Sequence, residues 1–279
     1  MCSHSKKSSC GLAALLHASL WLLAGLAQAG HSQYQVLYQG IFSLGGEMKI
    51  ADVTLSDRRP SAAYRESELQ VSSQAYGHVE ALYPIRYRFR SWYRDDPAAG
   101  LVSEVYEKNG GKDEKHRLVY LDDPKEPFVT RNLKKEGELD LPALLEGSYR
   151  PGNTHAQRPR FDRLGLLAHV RSQSLAPGQR LSVQVSNGKK MMEYRVRVEG
   201  REQLEVAGQT WQALKLQFDG LRLDERGQER RSHRPVYIWV SDDSRHLPLR
   251  AVSRHALGRF TLKLRSFDGD RLALGSPEA

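Results

Sequence analysis

Strict alternation of apolar and polar residues runs through most of this chain, and it constrains the fold more than any other feature. Ile85, Tyr87 and Phe89 alternate with three arginines. The same two-residue period returns at 181–186, 194–199, 214–218 and 260–265. Because successive side chains of a strand point to opposite faces, each segment predicts a strand with one buried face and one wetted face, as in antiparallel sheets.

Short turn motifs separate these strand segments. Asn187-Gly188 joins two of them and is a strong hairpin motif, because both residue types tolerate a positive φ. Further turns are indicated by Asn109-Gly110-Gly111, Gly200, Gly208 and Gly227. About a dozen strands at this spacing predict a mainly β fold, either one large curved antiparallel sheet or an incomplete β-barrel.

One segment has helical spacing instead. Phe161, Leu164, Leu167 and Ala168 fall at helical spacing, and Asp162 is a candidate N-cap. We therefore expect one short helix packed in or on the sheet. The residues before it, 146–160, are rich in Gly, Pro, Arg and Asn, and they predict a long loop between two halves of the sheet.

The N-terminal segment, residues 1–29, has the pattern of a secretory signal peptide. Lys6 and Lys7 form its positive region, an apolar stretch follows, and Ala27-Gln28-Ala29 is a typical cleavage site. The alternative is a membrane anchor, for which an apolar stretch of about 16 residues is short. Cleavage would remove both cysteines and lower the formal charge of +9 by two, to +7. We expect residues 30–279 to form a single β-rich domain that is soluble in the periplasm, with peripheral membrane contact left open.

Sequence motifs for catalysis are absent. There is no nucleophile elbow, zinc-protease helix, Walker loop or dinucleotide fingerprint. We therefore expect no enzymatic activity, no cofactor and no metal. Asp242, Asp243 and His246 form one compact group that would suit a metal or acid–base site, or a tight turn between two strands. The flanking strand patterns favour the turn, since Asp residues stabilise turns by bonding their own backbone.

Basic and aromatic residues on the polar faces are the candidate ligand-binding residues. Arg86, Arg88 and Arg90 project from one face of a predicted strand, Trp92 continues that face, and Trp211 lies on another strand. The cations could bind an anionic lipid head group or another polyanion, and the rings could line a groove. The alternative is a solvated outer face that is balanced by acidic neighbours and covered by the rings. Nucleic acid is not expected as a partner of an exported protein.

Several motifs occur in a distinctive order. Tyr34–Gly46 opens the mature chain as Tyr-x-Val-x-Tyr-x-Gly. Phe161-Asp162 is followed by a leucine-rich helix and Arg171, and a hairpin comes next. The most specific segment carries Trp239, Asp242, Asp243 and Pro248. In this order the motifs resemble a bacterial family classified only as a domain of unknown function, number 3108.

The resemblance implies an exported protein of the Gram-negative envelope. It also implies a fold like the incomplete β-barrel of lipoprotein carriers, whose hydrophobic groove can hold acyl chains. It supplies no catalytic residues. Trp239, Asp242, Asp243 and Pro248 are therefore given a structural role, in a strand, an acidic turn and a return strand.

Three functions follow as hypotheses. The first is a periplasmic, non-enzymatic protein that binds a hydrophobic or amphipathic envelope component, a lipid or lipoprotein, in the groove of the barrel. The second is a structural or protein-interaction module of envelope assembly, which a fully packed barrel would favour. The third is an envelope-polymer hydrolase that uses Asp242, Asp243 and His246. The sequence leaves the oligomeric state open.

Overall fold

The computed structural model describes most of the chain after residue 29. The described residues are 30–43, 46–61, 63–95, 98–109, 112–121, 128–132, 159–186, 188–223 and 228–268. The predicted signal peptide and residues 146–158 of the predicted loop lie outside them, as do Gly110, Gly111, Asn187 and Gly227. The expectations for those positions stay predictions.

The alternating segments form strands that join in one sheet of 15 strands. The first seven strands are β1 His31–Gly40, β2 Met48–Arg58, β3 Arg65–Ser72, β4 Ile85–Asp95, β5 Ala98–Asn109, β6 Lys112–Tyr120 and β7 Phe128–Asn132. The remaining strands are β8 Arg160–Phe161, β9 Arg180–Ser186, β10 Met191–Val206, β11 Gln209–Leu223, β12 Glu229–Arg231, β13 Val236–Ser241, β14 Pro248–His255 and β15 Gly258–Phe267.

The strand order makes the sheet an incomplete barrel. It runs β7-β6-β5-β4-β3-β2-β1-β15-β14-β13-β11-β10-β9-β8, with β12 paired to β11. Two hydrogen bonds show that the ends of the sheet lie close together: the Thr130 Oγ1 donates to the Gly188 carbonyl at 2.7 Å, and the Arg160 Nη1 donates to the Leu121 carbonyl at 3.3 Å. In the described residues, the two end strands do not pair with each other. The predicted mainly β, incomplete barrel is confirmed. One pair, β8 with β9, is parallel and so departs from the antiparallel prediction.

The predicted helix is present as α2, Arg163–Arg171, and it lies inside the curl of the sheet. Asp162 caps it, since its Oδ1 accepts from the Leu164 N at 2.7 Å and the Gly165 N at 2.9 Å. Seven of its nine residues are buried, so the helix fills interior space that the curled sheet alone would leave open. A shorter helix, α1, Gly77–Glu80, was not predicted, because four residues give no readable helical period.

The core is a single apolar cluster to which both halves of the sheet contribute. It includes Val36 and Phe89 from the first half, Leu216 and Ile238 from the second, and Leu166 from α2. Their shared burial ties the two halves to one interior.

Two predicted turns had different outcomes. Gly208 forms one with Ala207, at φ +74° and +54°, as expected for a tight hairpin. Gly200 was wrongly predicted as a turn. It lies within β10, at an irregularity in the pairing with β11, and the strand continues through it.

Candidate functional site

The three arginines that the sequence identified lie on the outer face of β4, and each is ion-paired. Arg86 makes a bidentate contact with Glu80, at 2.7 and 2.9 Å. Arg88 does the same with Glu68, at 3.1 and 3.0 Å. The third contact joins the Arg90 Nη2 to the Glu66 Oε1 at 3.0 Å. An anionic head group at this face would compete with carboxylates that are already in place.

Along one row of this outer face, charges alternate from strand to strand, although Arg86 lies opposite Lys108 on β5. Arg90 lies opposite Glu68 on β3 and opposite Glu104 on β5. Glu104 in turn lies opposite Arg117 on β6 and bonds its Nε at 2.8 Å. Opposite charges on facing residues stabilise a sheet, so this arrangement fits the interpretation of a balanced outer face.

The two candidate tryptophans lie far apart. Trp92 is buried at the end of the arginine stripe, with the Arg90 guanidinium 4.9 Å from its ring centre. Trp211 lies on β11, which six strands separate from β4. There it packs on Phe267 and under the Arg245 guanidinium, 5.8 Å from its ring centre. The structure thus joins Trp92, but not Trp211, to the arginines.

The acidic turn between β13 and β14 is held by its own side chains. The Asp243 Oδ1 accepts from the Arg245 N at 2.9 Å and from the Ser241 Oγ at 2.8 Å. Asp242 is ion-paired with Arg201. These contacts are those of a structural turn. Both carboxylates are engaged in them, which disfavours the alternative of an acid–base site.

The remaining residues of this segment also have structural contacts. The Trp239 Nε1 donates to Glu202 at 2.7 Å. Pro248 begins β14, a position where a strand tolerates proline. The His246 Nδ1 lies 2.9 Å from the Arg171 carbonyl. The turn thereby closes over the C-terminal end of α2.

A polar cluster lies buried where α2 meets this turn. The Arg171 side chain donates to the carbonyls of Arg245 and His246, while its Nη1 has no hydrogen-bond partner. Asp57 is buried close by and accepts from the Ser67 Oγ at 2.6 Å. Burial raises the pKa of Asp57 to about 7, although the Arg171 charge opposes the shift.

Sequence reasoning missed Asp57, yet the alternation contains a signal for it. Val53, Leu55 and Asp57 occupy the same face of β2, and the first two are core residues. A carboxylate in phase with core residues is a buried carboxylate, and a buried charge needs a partner.

Three exposed apolar side chains lie at the same end of the sheet. This end, called the upper end, carries the β1–β2, β3–β4 and β14–β15 connections, because the strands that they join are antiparallel neighbours. Within the described residues, the exposed large apolar side chains are Ile41, Phe42 and Leu82, at 63%, 59% and 87% exposure. All three lie on these connections.

Backbone and ring contacts fix the geometry of the upper end. The Ile41 N donates to the Leu257 carbonyl at 3.2 Å, which joins the β1–β2 and β14–β15 connections. Phe42 lies beside the Tyr38 ring, at 6.3 Å between centres. The His78 ring lies 3.1 Å from the Lys49 carbonyl and holds the β3–β4 connection against β2. The apolar residues are therefore presented on anchored turns.

Neither a metal centre nor a membrane-crossing helix is found in the described ranges. No group of three or more His, Cys, Asp or Glu side chains there could hold a metal ion. No helix in this part of the chain has the length and apolarity needed to cross a bilayer.

A family described as "Protein of unknown function (DUF3108)" matches the sequence over residues 33–265. The chain belongs to this family. The match spans most of the described sheet, from β1 to β15, so the resemblance found in the sequence is confirmed. No curated protein matches this DUF3108 chain significantly.

Two solved structures are distantly similar to this DUF3108 protein. A β-barrel-like protein of domain of unknown function 1849 from Brucella abortus is 8% identical, with a TM-score of 0.49 over 86% of this chain and 97% of that chain. The hypothetical lipoprotein YmcC from Escherichia coli is 8% identical, with a TM-score of 0.30 over 95% and 98%. Likenesses of this size bear on neither function nor site residues.

Proposed function

We propose that this DUF3108 protein is an exported, non-enzymatic periplasmic protein that binds a hydrophobic or amphipathic component of the cell envelope, a lipid, at its upper end. The observation that carries the proposal is the position of Ile41, Phe42 and Leu82. Scattered single apolar residues are ordinary on a protein surface, whereas an apolar patch marks an interaction site, and the adjacent Ile41 and Phe42 with Leu82 at the same end are the residues from which we infer one. The signal-peptide pattern of residues 1–29 supports export.

The upper end is favoured over the interior of the barrel. Core side chains and α2 occupy the inside of the curl in the described residues. One cleft near the start of α2, lined by Phe89, His116 and Asp162 among others, has a volume of about 20 Å³. That volume suits a water molecule rather than an acyl chain. Binding at the upper end requires no movement of α2.

The energy available from the three side chains suits reversible binding. Moving one large apolar side chain from water into an apolar environment contributes about 1.5 to 3 kcal/mol. Three partly exposed side chains together supply several kcal/mol, comparable with a single lipid anchor that binds a membrane weakly and reversibly. A soluble protein with such an end would sample the membrane surface without remaining fixed to it.

Vesicle flotation tests this proposal. The mature protein is mixed with phosphatidylcholine vesicles, and its partition is compared with that of I41S/F42S and L82S. We expect the double variant to lose about tenfold or more in affinity and L82S somewhat less, since each change removes apolar surface. The matched control is F42W, which keeps the apolar surface and should keep binding because tryptophan favours the interface. Equal partition of wild type and I41S/F42S would refute the proposal.

A protein partner at the same end is the second candidate. Exposed apolar side chains on anchored turns would suit an apolar protein surface as well as a lipid, and the packed interior leaves this end as the site for either. A photo-reactive residue at position 42 would separate the two candidates in living cells. Cross-linking to lipid supports the first, and a discrete protein adduct supports the second.

A further inference from the structure

Four cations share the outer face of β14 and β15. Arg250 and Arg254 alternate with core-facing residues on β14, and Arg259 and Lys263 do so on β15. None of the four was a candidate in the sequence. They lie on neighbouring strands, so together they form one continuous surface, called the β14–β15 face.

The register places like charges opposite each other on this face. Arg250 pairs with Lys263, and Arg254 pairs with Arg259. Directly opposite residues of an antiparallel pair have Cβ atoms about 5 Å apart, and like charges there destabilise the sheet. Two such pairs in one hairpin have an electrostatic cost that the fold itself does not require.

Few carboxylates neutralise the face. Glu47 lies 3.6 Å from the Arg259 Nη2 and 3.4 Å from the Lys263 Nζ. In the described part of the chain, neither Arg250 nor Arg254 forms an ion pair. Burial and the nearby Arg259 charge lower the pKa of Arg250. Glu47 and Glu202 oppose this shift of the Arg250 pKa, but two carboxylates do not balance four cations, so the face keeps an excess of positive charge.

An aromatic ring borders the face. The Arg250 guanidinium lies 5.0 Å from the centre of the Trp239 ring, and the Lys215 Nζ lies 5.5 Å from it on the neighbouring strand. Tryptophan flanked by cations is typical of surfaces that meet lipid head groups. The Arg250 Nε is buried and has no hydrogen-bond partner in the described residues.

The β14–β15 face is continuous with the apolar upper end. Arg254 and Arg259 flank the β14–β15 connection, and that connection holds the Ile41 backbone through Leu257. Ile41 and Phe42 would therefore enter a membrane surface beside these arginines. Apolar side chains next to unbalanced arginines match a surface of acyl chains beneath anionic phosphates.

We propose that the β14–β15 face binds the phosphate groups of anionic phospholipids at a membrane surface. This inference rests on the proposed function, because it adds a head-group preference to binding at the upper end. Guanidinium groups suit phosphate, since their planar donors can bond two oxygens at once. Continuity with Ile41 and Phe42 is the reason to name a phospholipid surface rather than a dissolved polyanion.

Flotation with two vesicle compositions tests the inference. One composition is phosphatidylcholine alone, and the other adds phosphatidylglycerol. We expect R250Q/R254Q to bind the mixed vesicles about thirty-fold more weakly than wild type, since each arginine near an anionic surface is worth about fivefold. Binding to phosphatidylcholine alone should not change. The wild-type preference for mixed vesicles should fall as salt is added.

The matched control is R195Q/R197Q. It also removes two positive charges from the outer face, but Arg195 and Arg197 are ion-paired with Glu229 and Glu199. This variant should bind mixed vesicles as wild type does. An equal loss in both double variants would overturn the inference, because net charge alone would then explain binding. Thermal melting checks folding, and R254Q/K263Q repeats the test if R250Q/R254Q melts early.

The remaining outcomes separate this inference from the proposed function. Binding to phosphatidylcholine without any preference for mixed vesicles overturns the inference alone. Absence of binding to both compositions overturns both proposals. Pyrophosphate is then added as a free competitor to wild type. If wild type binds free pyrophosphate as tightly as it binds the mixed vesicles, and R254Q loses both, the ligand is a dissolved anion. The phospholipid assignment is then overturned.

Discussion

Along one row on the outer face of β3–β6, charges alternate from strand to strand, whereas on β14 and β15 both charged pairs place a cation opposite a cation. The first row runs Glu68, Arg90, Glu104, Arg117. In the second face, Arg254 lies opposite Arg259 and Arg250 lies opposite Lys263. Both faces are arginine-rich in sequence, and the residues across the strand decide what those arginines can do.

The difference separates two uses of the same residue type. Arginines that face carboxylates contribute to the stability of the sheet. Because they are already ion-paired, an added anion must compete with those carboxylates. Arginines that face cations lower stability and gain from an anion that comes to lie between them. We therefore expect substitution on the first face to affect folding, and substitution on the second to affect binding.

The largest expected effect is on the first face, from E66Q/E68Q. Their side chains are 8% and 9% exposed and accept from Arg58, Arg88 and Arg90. Loss of a hydrogen bond to a charged group costs about 2 kcal/mol. The double variant should therefore lose several kcal/mol of unfolding free energy in urea denaturation. E47Q is the control, since Glu47 pairs with Arg259 and Lys263 of the β14–β15 face. These ion pairs are exposed, so E47Q should lower the unfolding free energy by less than about 1 kcal/mol. Similar losses in both would show that the two faces are not built differently.

The next effect concerns pH, and it contrasts Glu68 with the buried Asp57. Burial by itself would raise the pKa of Glu68, but hydrogen bonds from Arg88 and Gln70 bring it below its ordinary value of 4.5. Its contribution to stability is therefore present above that value and is lost as pH falls through the lower, folded-state pKa.

Asp57 should behave in the opposite way. Burial raises its pKa from 3.8 to about 7, so the folded protein holds a proton that the unfolded chain releases. Stability should fall as pH rises through that interval. Melting temperatures of wild type, D57N and E68Q across this range provide the measurement. The D57N value minus the wild-type value should increase with pH up to about 7, and the E68Q difference should shrink in acid. A flat D57N difference would show that Asp57 titrates normally.

Most of the fold could be predicted because its signals are local. Alternation identified the strands, and Asp162 identified the start of α2. The parallel pairing of β8 could not be predicted, since two residues, Arg160 and Phe161, carry no period. Gly200 was misread because a glycine in a strand and a glycine in a turn look alike without the partner strand.

The binding residues were harder to predict because their partners are distant in sequence. The arginines of β4 were visible, but Glu66 and Glu68 are brought beside them only by the pairing of β3. The β14–β15 face had a usable signal: Arg250 and Lys263 are equidistant from the turn, as are Arg254 and Arg259. Ile41-Phe42 also broke the alternation, and two adjacent apolar residues beside a glycine indicate an exposed turn.

The smallest expected effect is a gain in stability from R254Q. The change removes one of two like charges that lie opposite each other, so the unfolding free energy should rise by about 0.5 kcal/mol. Arg90 is the counterpart for comparison, because it faces Glu68 and Glu104, and R90Q should lower the unfolding free energy. High salt should remove the gain in R254Q, since exposed charges are screened. A loss of stability in R254Q would mean that Arg254 has a folding role. A gain in stability together with weaker binding to anionic vesicles would mean that Arg254 is retained for function at a cost in stability.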